Sequence, residues 1–181
     1  MELTGKGFIP LQKKQISPSR NRSKGFTLTE LMIVIAVIGV LATVGGIAIN
    51  RELPHYRLKG DAGTIHRSFM TARTQSTSSG LQYAIEFDLD ASPQKYVLRR
   101  GNANSGSTTW TMLSYKKELS PGVTIAQIND GAVKTSGKVQ IIFNPNGSTG
   151  LGEVRLGSAA HGYRVWLTPT TGRVQVQEGW T

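Results

Sequence analysis

An apolar stretch over residues 31–49 follows directly after an acidic residue, Glu30, and this junction constrains the chain more than any other feature. The stretch is nineteen residues long and contains one polar side chain, Thr43. As a helix it rises about 28 Å at ~1.5 Å per residue, which is enough to span a bilayer. An ionised carboxylate at the mouth of such a segment is costly unless a partner neutralises it. The sequence therefore predicts a membrane-spanning helix whose Glu30 meets a positive group.

The segment ahead of this stretch is basic. Its charged residues are Lys6, Lys13, Lys14, Arg20, Arg22 and Lys24, with Glu2 as the one acid. An excess of Lys and Arg marks the cytoplasmic flank of a membrane helix, so we expect the N-terminus to stay inside and the C-terminal body to be exported. A secretory signal peptide would place its small-residue cleavage site after the apolar core, whereas the small residue here, Gly25, lies before it. A plain signal-anchor helix explains the basic flank but not Gly25, Phe26 and Glu30 together.

Residues 24–42, KGFTLTELMIVIAVIGVLA, resemble the type IV prepilin signature shared by pilins, minor pilins and the pseudopilins of type II secretion. The resemblance implies cleavage after Gly25 by a prepilin peptidase, N-methylation of Phe26 by the associated methyltransferase, and a role for Glu30 in registering subunits. A carboxylate and the terminal ammonium of a neighbouring subunit can neutralise each other where water is excluded. The alternative for Glu30 is an interfacial carboxylate that reaches the lipid headgroups.

Length and composition leave room for one exported domain. Removal of a leader, residues 1–25, and of a helix over residues 26–50 leaves about 130 residues, enough for one small domain. The chain has no cysteine, so packing alone must hold this domain. The net charge of +10 divides equally, because six bases against one acid give +5 in the leader and fifteen against ten give +5 in the rest. Such a modest excess is more typical of a solvated surface than of a nucleic-acid partner.

A stripe of apolar residues carries the helical pattern beyond the membrane segment. Its members recur at spacings of three and four and are Leu58, Ala62, Ile65, Phe69 and Ala72. This spacing predicts that residues 51–79 form the amphipathic half of one spine helix, with the striped face packed on a sheet. The resemblance suggests that the helix runs to about Ser78, and we expect Pro54 to kink it.

Residues 80–181 alternate short apolar-rich segments with turn residues, which predicts a β-rich globular domain. Together with the helix this is an α+β arrangement, and the resemblance implies the type IV pilin fold, a long N-terminal helix packed on antiparallel sheets. The expected strands are residues 82–87, 95–100, 109–115, 123–128, 138–143, 153–156, 163–167 and 173–176.

Two C-terminal segments, IIFNPNGSTG and YRVWLTPTTGRVQV, resemble the closing region of the H-type (GspH) pseudopilins of type II secretion and of the FimT and FimU minor pilins. The turn at residues 143–147 and the Gly172-Arg173 step carry the match. The resemblance implies a low-copy subunit that is anchored in the inner membrane, joins a pseudopilus at or near its tip, and primes filament assembly for protein secretion. Its partners would be other pseudopilins or minor pilins and the inner-membrane assembly platform. The alternative is a minor pilin of a type IV pilus.

DNA capture is a different class of function. Some FimT-like minor pilins bind DNA through a Gly-Arg-x-Arg step, but the corresponding run here, GRVQ at residues 172–175, lacks the second arginine. Arg155, Arg164 and Arg173 are the candidates for a remaining basic patch. We favour arginines at sheet edges over a DNA site, because phosphate binding normally needs several clustered cations.

No catalytic constellation is recognisable, so we expect neither enzyme activity nor a cofactor or metal. His55 and His66 lie eleven residues apart on one helix, about 16 Å at ~1.5 Å per residue, too far to share a metal, and neither has an evident ligand partner. His161 is expected alone in a glycine-flanked turn. Asp88 and Asp90 lack the rest of a calcium-binding loop.

Overall fold

The computed structural model describes residues 25–158 and 161–179, without the side chains of residues 44–51. The predicted leader therefore lies outside the described residues except for Gly25. The chain divides into two compact units, residues 1–43 and 44–181. One helix, α1 (Leu28–Ser79), comes first. The strands that follow are β1 (Tyr83–Asp88), β2 (Lys95–Gly101), β3 (Trp110–Met112), β4 (Lys117–Glu118), β5 (Thr124–Asn129), β6 (Val133–Lys134), β7 (Lys138–Phe143), β8 (Gly152–Ser158), β9 (His161–Thr168) and β10 (Arg173–Glu178).

The predicted apolar stripe on α1 is buried. Its residues are all 0% exposed, and they are Leu58, Ala62, Ile65, Phe69 and Ala72. Residues three and four apart lie on one face of a helix, so a single face of α1 enters the core, as predicted.

The helix ends one residue beyond the predicted Ser78. Its assigned span continues through Pro54, and the kink expected there stays a prediction. At the C-terminal end, Gly80 adopts a φ of 69° and donates its N–H to the Ser76 carbonyl at 3.1 Å. Glycine takes this left-handed conformation at little cost, which lets the chain leave the helix and enter β1.

The strands form two five-stranded antiparallel sheets. The first sheet has the order β3-β2-β1-β7, with β4 also pairing with β2. The second has the order β10-β9-β8-β5-β6. Eight of these strands match the predicted segments within a few residues. The other two, β4 and β6, are two residues long, too short to show the alternation on which the prediction depended.

One hydrophobic core joins α1 to both sheets. The ring of Phe69 on α1 lies 6.1 Å from that of Phe87 on β1 and 5.7 Å from that of Phe143 on β7. On the second sheet alternate residues of β8 and β9, such as Val154 and Val165, point inward and are 0% exposed. The fold is therefore α+β, with the amphipathic half of α1 packed on antiparallel sheets as predicted.

Candidate functional site

The first turn of α1 is closed by reciprocal hydrogen bonds between Thr27 and Glu30. The Thr27 amide donates to Glu30 Oε2 at 2.8 Å, and the Glu30 amide donates to Thr27 Oγ1 at 3.2 Å. The Thr27 hydroxyl also donates to Glu30 Oε2, at 3.0 Å. Threonine at the N-cap with glutamate three residues later is a capping box, which satisfies amides that a helix start otherwise leaves unpaired. Both bonds to the carboxylate end on Oε2, and neither uses Oε1.

Glu30 was predicted to make subunit contacts, and its capping role was not predicted. The signal was present in the run Thr27-Leu28-Thr29-Glu30 immediately before an apolar stretch, which is the sequence pattern of a capping box.

Apolar side chains surround α1 on all sides in its first turns. Phe26 is 89% exposed, and the following apolar residues are between 49% and 75% exposed: Leu28, Leu31, Met32, Ile33, Val34, Ile35, Val37, Ile38, Val40 and Leu41. Five of them are consecutive, so they cover every direction around the helix axis. A helix that is apolar all round requires an apolar environment, which is lipid or other helices.

In residues 25–158 and 161–179, no helix combines the length and apolar character needed to cross a membrane. The span predicted for residues 31–49 extends into residues 44–51, whose side chains lie outside the described part of the chain.

Gly25 lies in the exposed segment that precedes α1. A Cβ atom placed on it would meet nothing within 4 Å, and its φ does not require glycine. Packing among the described residues therefore does not require a glycine at this position. Cleavage after Gly25 stays a prediction.

The three candidate arginines lie on the outer face of the second sheet. Arg155 on β8 and Arg164 on β9 stand directly opposite each other in the strand ladder. Arg173 on β10 is opposite Thr168, four residues along β9 from Arg164, which is ~13 Å at about 3.3 Å per residue.

Two of these arginines already contact other side chains. Arg155 Nε pairs with Glu153 Oε1 at 2.7 Å. Arg164 Nη2 donates to Gln177 Oε1 at 3.0 Å, and its guanidinium lies 4.5 Å from the Trp166 ring centroid. The structure brings Arg155 and Arg164 together but not all three, and the DNA site stays a prediction that we do not favour.

The structure corrects the expectations for His55 and His161. His161 is the first residue of β9 rather than part of a turn, and its ring centroid lies 4.7 Å from that of His55 on α1. His55 Nδ1 is also 3.7 Å from Glu178 Oε1 on β10. His55 therefore lies beside two residues that can ligate a metal, His161 and Glu178. Residue spacing along the helix could not predict this, because packing of α1 against β9 and β10 brings together residues more than a hundred positions apart.

The sequence profile of the family described as "Type II transport protein GspH" matches residues 61–172, more than half of the chain. The chain belongs to the GspH family. A second profile, "Prokaryotic N-terminal methylation motif", matches residues 20–46 of this GspH protein, a range that contains Gly25, Phe26 and Glu30. No curated protein sequence matches it.

Two solved structures of the minor pseudopilin EpsH from the type 2 secretion system of Vibrio cholerae are similar to this GspH protein. One has a TM-score of 0.51 and 11% identity, and covers 67% of this chain and 97% of that chain. The other has a TM-score of 0.52 and 13% identity, and covers 69% of this chain and 96% of that chain. This likeness confirms the predicted fold, a helix packed on antiparallel sheets. The GspH family consists of structural pseudopilin subunits of type II transport, so this protein is a pseudopilin and not an enzyme.

Proposed function

We propose that the protein is cleaved after Gly25, methylated on Phe26, and incorporated at or near the tip of a type II secretion pseudopilus, where it primes filament assembly for protein secretion. The observation that carries this proposal is the start of α1, where exposed apolar side chains on every side of the helix follow a capped carboxylate. The tip position and the priming role rest on the resemblance of the closing region to the H-type pseudopilins.

The exposed apolar surface supports anchoring first in lipid and then among other helices. Removing apolar surface from water yields about 25 cal/mol per Å², so residues 26–41 gain from either environment. Before assembly we place the chain in the inner membrane as a single-pass protein, with the basic N-terminal flank cytoplasmic and the β-rich domain periplasmic. The inner-membrane assembly platform then transfers it from lipid to the helices of sister pseudopilins.

The two carboxylate oxygens of Glu30 have different roles, one within its own helix and one in the assembled pseudopilus. Oε2 stays in the capping box with Thr27, while Oε1 accepts a hydrogen bond from the terminal ammonium of a neighbouring subunit. Methylation of that terminus leaves it positively charged. The partial positive charge at the start of a helix also favours a carboxylate at this position. Glu30 thereby remains neutralised when assembly removes its contact with water.

Mass spectrometry of the membrane fraction tests the processing step. We expect a chain that begins at N-methylated Phe26 in cells with an active prepilin peptidase. Detection of the intact Met1 leader as the main species in such cells would contradict the proposal.

Complementation of a null strain tests the assembly step. We expect Glu30→Ala to be processed as wild type but to co-purify poorly with the other pseudopilins and to restore exoprotein release weakly. A matched control is Thr43→Ala, because the Thr43 hydroxyl bonds within its own helix turn, to the Val40 carbonyl at 2.7 Å.

The null strain itself tests the alternative function. If it loses twitching while exoprotein release is normal, the protein serves a type IV pilus.

A further inference from the structure

Three residues with metal-ligating side chains converge at one end of the core. They are His55 on α1, His161 at the start of β9 and Glu178 at the end of β10, and one ligand atom from each lies within 4.8 Å of the others. A tetrahedral Zn²⁺ site with bonds of about 2.0–2.1 Å holds its ligand atoms roughly 3.4 Å apart. The His55 Nδ1 to Glu178 Oε1 distance, 3.7 Å, is already close to that value. Metal binding here would require His161, whose side chain is exposed, to move closer by a change of rotamer.

His55 supplies a second, independent observation. Its side chain is 20% exposed, but its Nδ1 atom is buried and has no hydrogen-bond partner among the described residues. Buried polar atoms almost always have a partner, because leaving one unpaired loses the interaction that it had with water. The carboxylate oxygen Glu178 Oε1, at 3.7 Å, lies beyond hydrogen-bonding distance of this atom. A cation between these two atoms satisfies both.

The carboxylate is held in position from its other side. Tyr163 donates its hydroxyl hydrogen to Glu178 Oε2 at 3.0 Å, and the two residues stand directly opposite each other in the β9-β10 ladder. This bond fixes Oε2 and leaves Oε1 on the side of His55. A hydrogen bond that orients a ligand is a regular feature of metal sites in proteins.

We propose that His55, His161 and Glu178 bind one divalent first-row transition metal ion, with Zn²⁺ as the first candidate. Two imidazoles and one carboxylate suit Zn²⁺, Cu²⁺ and Ni²⁺ and disfavour Ca²⁺ and Mg²⁺, which prefer oxygen ligands throughout. Three protein ligands leave one tetrahedral position for water. The site joins the spine helix to β10, the edge strand of the second sheet, and therefore has a structural effect.

Metal titration of the full-length chain tests the proposal. The chain is purified in detergent without a polyhistidine tag, stripped with a chelator and titrated with Zn²⁺ in competition with a chromophoric chelator. We expect one equivalent to bind, and Co²⁺ in its place to give the visible absorption of tetrahedral coordination. His161→Ala and Glu178→Gln should each weaken binding at least tenfold. Tyr163→Phe should weaken it about 10-fold or more, because it removes the orienting hydrogen bond.

His66→Ala is the matched control, since His66 is a histidine on the same helix about 16 Å from His55 at ~1.5 Å per residue. It should bind Zn²⁺ as wild type does. Both His161 and Glu178 are exposed, so their replacement should leave the fold intact, which circular dichroism without metal checks. If His161→Ala does not fold, the Zn²⁺ affinity of Glu178→Gln is the deciding measurement. Absence of stoichiometric binding by wild type, or wild-type affinity in Glu178→Gln, overturns the proposal. Neither result bears on the secretion role, which is measured separately.

Discussion

Glu30 accepts two hydrogen bonds from Thr27 on the same oxygen, Oε2, one from the amide at 2.8 Å and one from the hydroxyl at 3.0 Å. The residue that we assign to subunit registration thus also starts its own helix. These two roles are separable because glutamine at this position of a capping box still accepts the amide hydrogen, but carries no charge.

Substitutions at Thr27 and Glu30 should therefore have opposite effects. Glu30→Gln should keep the helix start and lose incorporation into the pseudopilus, because a neighbouring ammonium loses its counter-ion. Thr27→Ala should keep incorporation and weaken the first helical turn by about 1 kcal/mol. Co-purification with sister pseudopilins measures incorporation, and hydrogen exchange at the first turn measures the cap. Equal loss of incorporation in both variants would mean that Glu30 acts through capping alone.

Acidification should destabilise the β-rich domain through Glu86. Burial alone would raise the pKa of Glu86, but hydrogen bonds from Gln140 at 2.7 Å and Arg99 at 2.8 Å, with the charges of Arg99 and Lys138, hold this pKa below its ordinary value of 4.5. The folded protein therefore binds this proton less tightly than the unfolded chain does. The resulting stability is present above the ordinary pKa and is lost as the pH falls through the lowered folded pKa.

The contribution of the Glu86 charge to stability is measured by denaturant unfolding of wild type and of Glu86→Gln at a series of pH values. At neutral pH the variant should be less stable than wild type by about 1 kcal/mol, because it loses the charge that Arg99 pairs with. The difference should shrink once the pH is below the folded pKa of Glu86. A difference that stays constant across the whole pH series would contradict this account.

Phe69 should be among the most sensitive core positions on α1. It is 0% exposed and packs against Phe87 and Phe143, so Phe69→Ala should lower the free energy of unfolding by about 3–5 kcal/mol through lost burial and a cavity. The neighbouring Met70 is 40% exposed, and Met70→Ala should change stability by no more than about 0.5 kcal/mol. Equal effects of the two substitutions in thermal denaturation would rule out the assigned helix face.

Gly172 should not tolerate a side chain. Its φ is 60°, and a Cβ atom there would collide with the Gly147 carbonyl oxygen and the Arg73 side chain. The close approach of Gly172 to the Gly147 carbonyl brings together the two turns that carry the resemblance to the H-type pseudopilins. Gly172→Ala should destabilise the domain by more than about 1 kcal/mol, as an incompatible backbone conformation does. Gly150→Ala is the control, because nothing lies within 4 Å of its added Cβ, and it should melt near the wild-type temperature.

The outer face of the second sheet should not bind duplex DNA. Arg155 pairs with Glu153, Arg164 is held by Gln177, and Arg173 lies ~13 Å along the sheet from Arg164, so these three arginines do not form the cluster of cations that phosphate binding needs. In an electrophoretic shift assay, wild type and Arg173→Ala should behave alike. A salt-sensitive shift that disappears in Arg173→Ala would favour the DNA-capture alternative.

The local structure of this protein was predictable from its amino-acid sequence. The apolar stripe on α1 and eight of the ten strands in the described residues were predictable because their periods, 3.6 and 2 residues, are properties of neighbouring positions in the chain. The capping box at Thr27 and Glu30 was equally readable, since it spans one helical turn. Glu30 was predicted as a functional residue for its charge next to apolar residues, again a local feature.

Which strands share a sheet, and which distant side chains meet, depends on how the elements pack in three dimensions. The opposition of Arg155 and Arg164 follows from the β8-β9 register, and the approach of His55 to His161 and Glu178 follows from packing α1 against the second sheet. These pairings cannot be predicted from the periodicity of any one segment. They form because all elements bury their apolar surfaces in one common core.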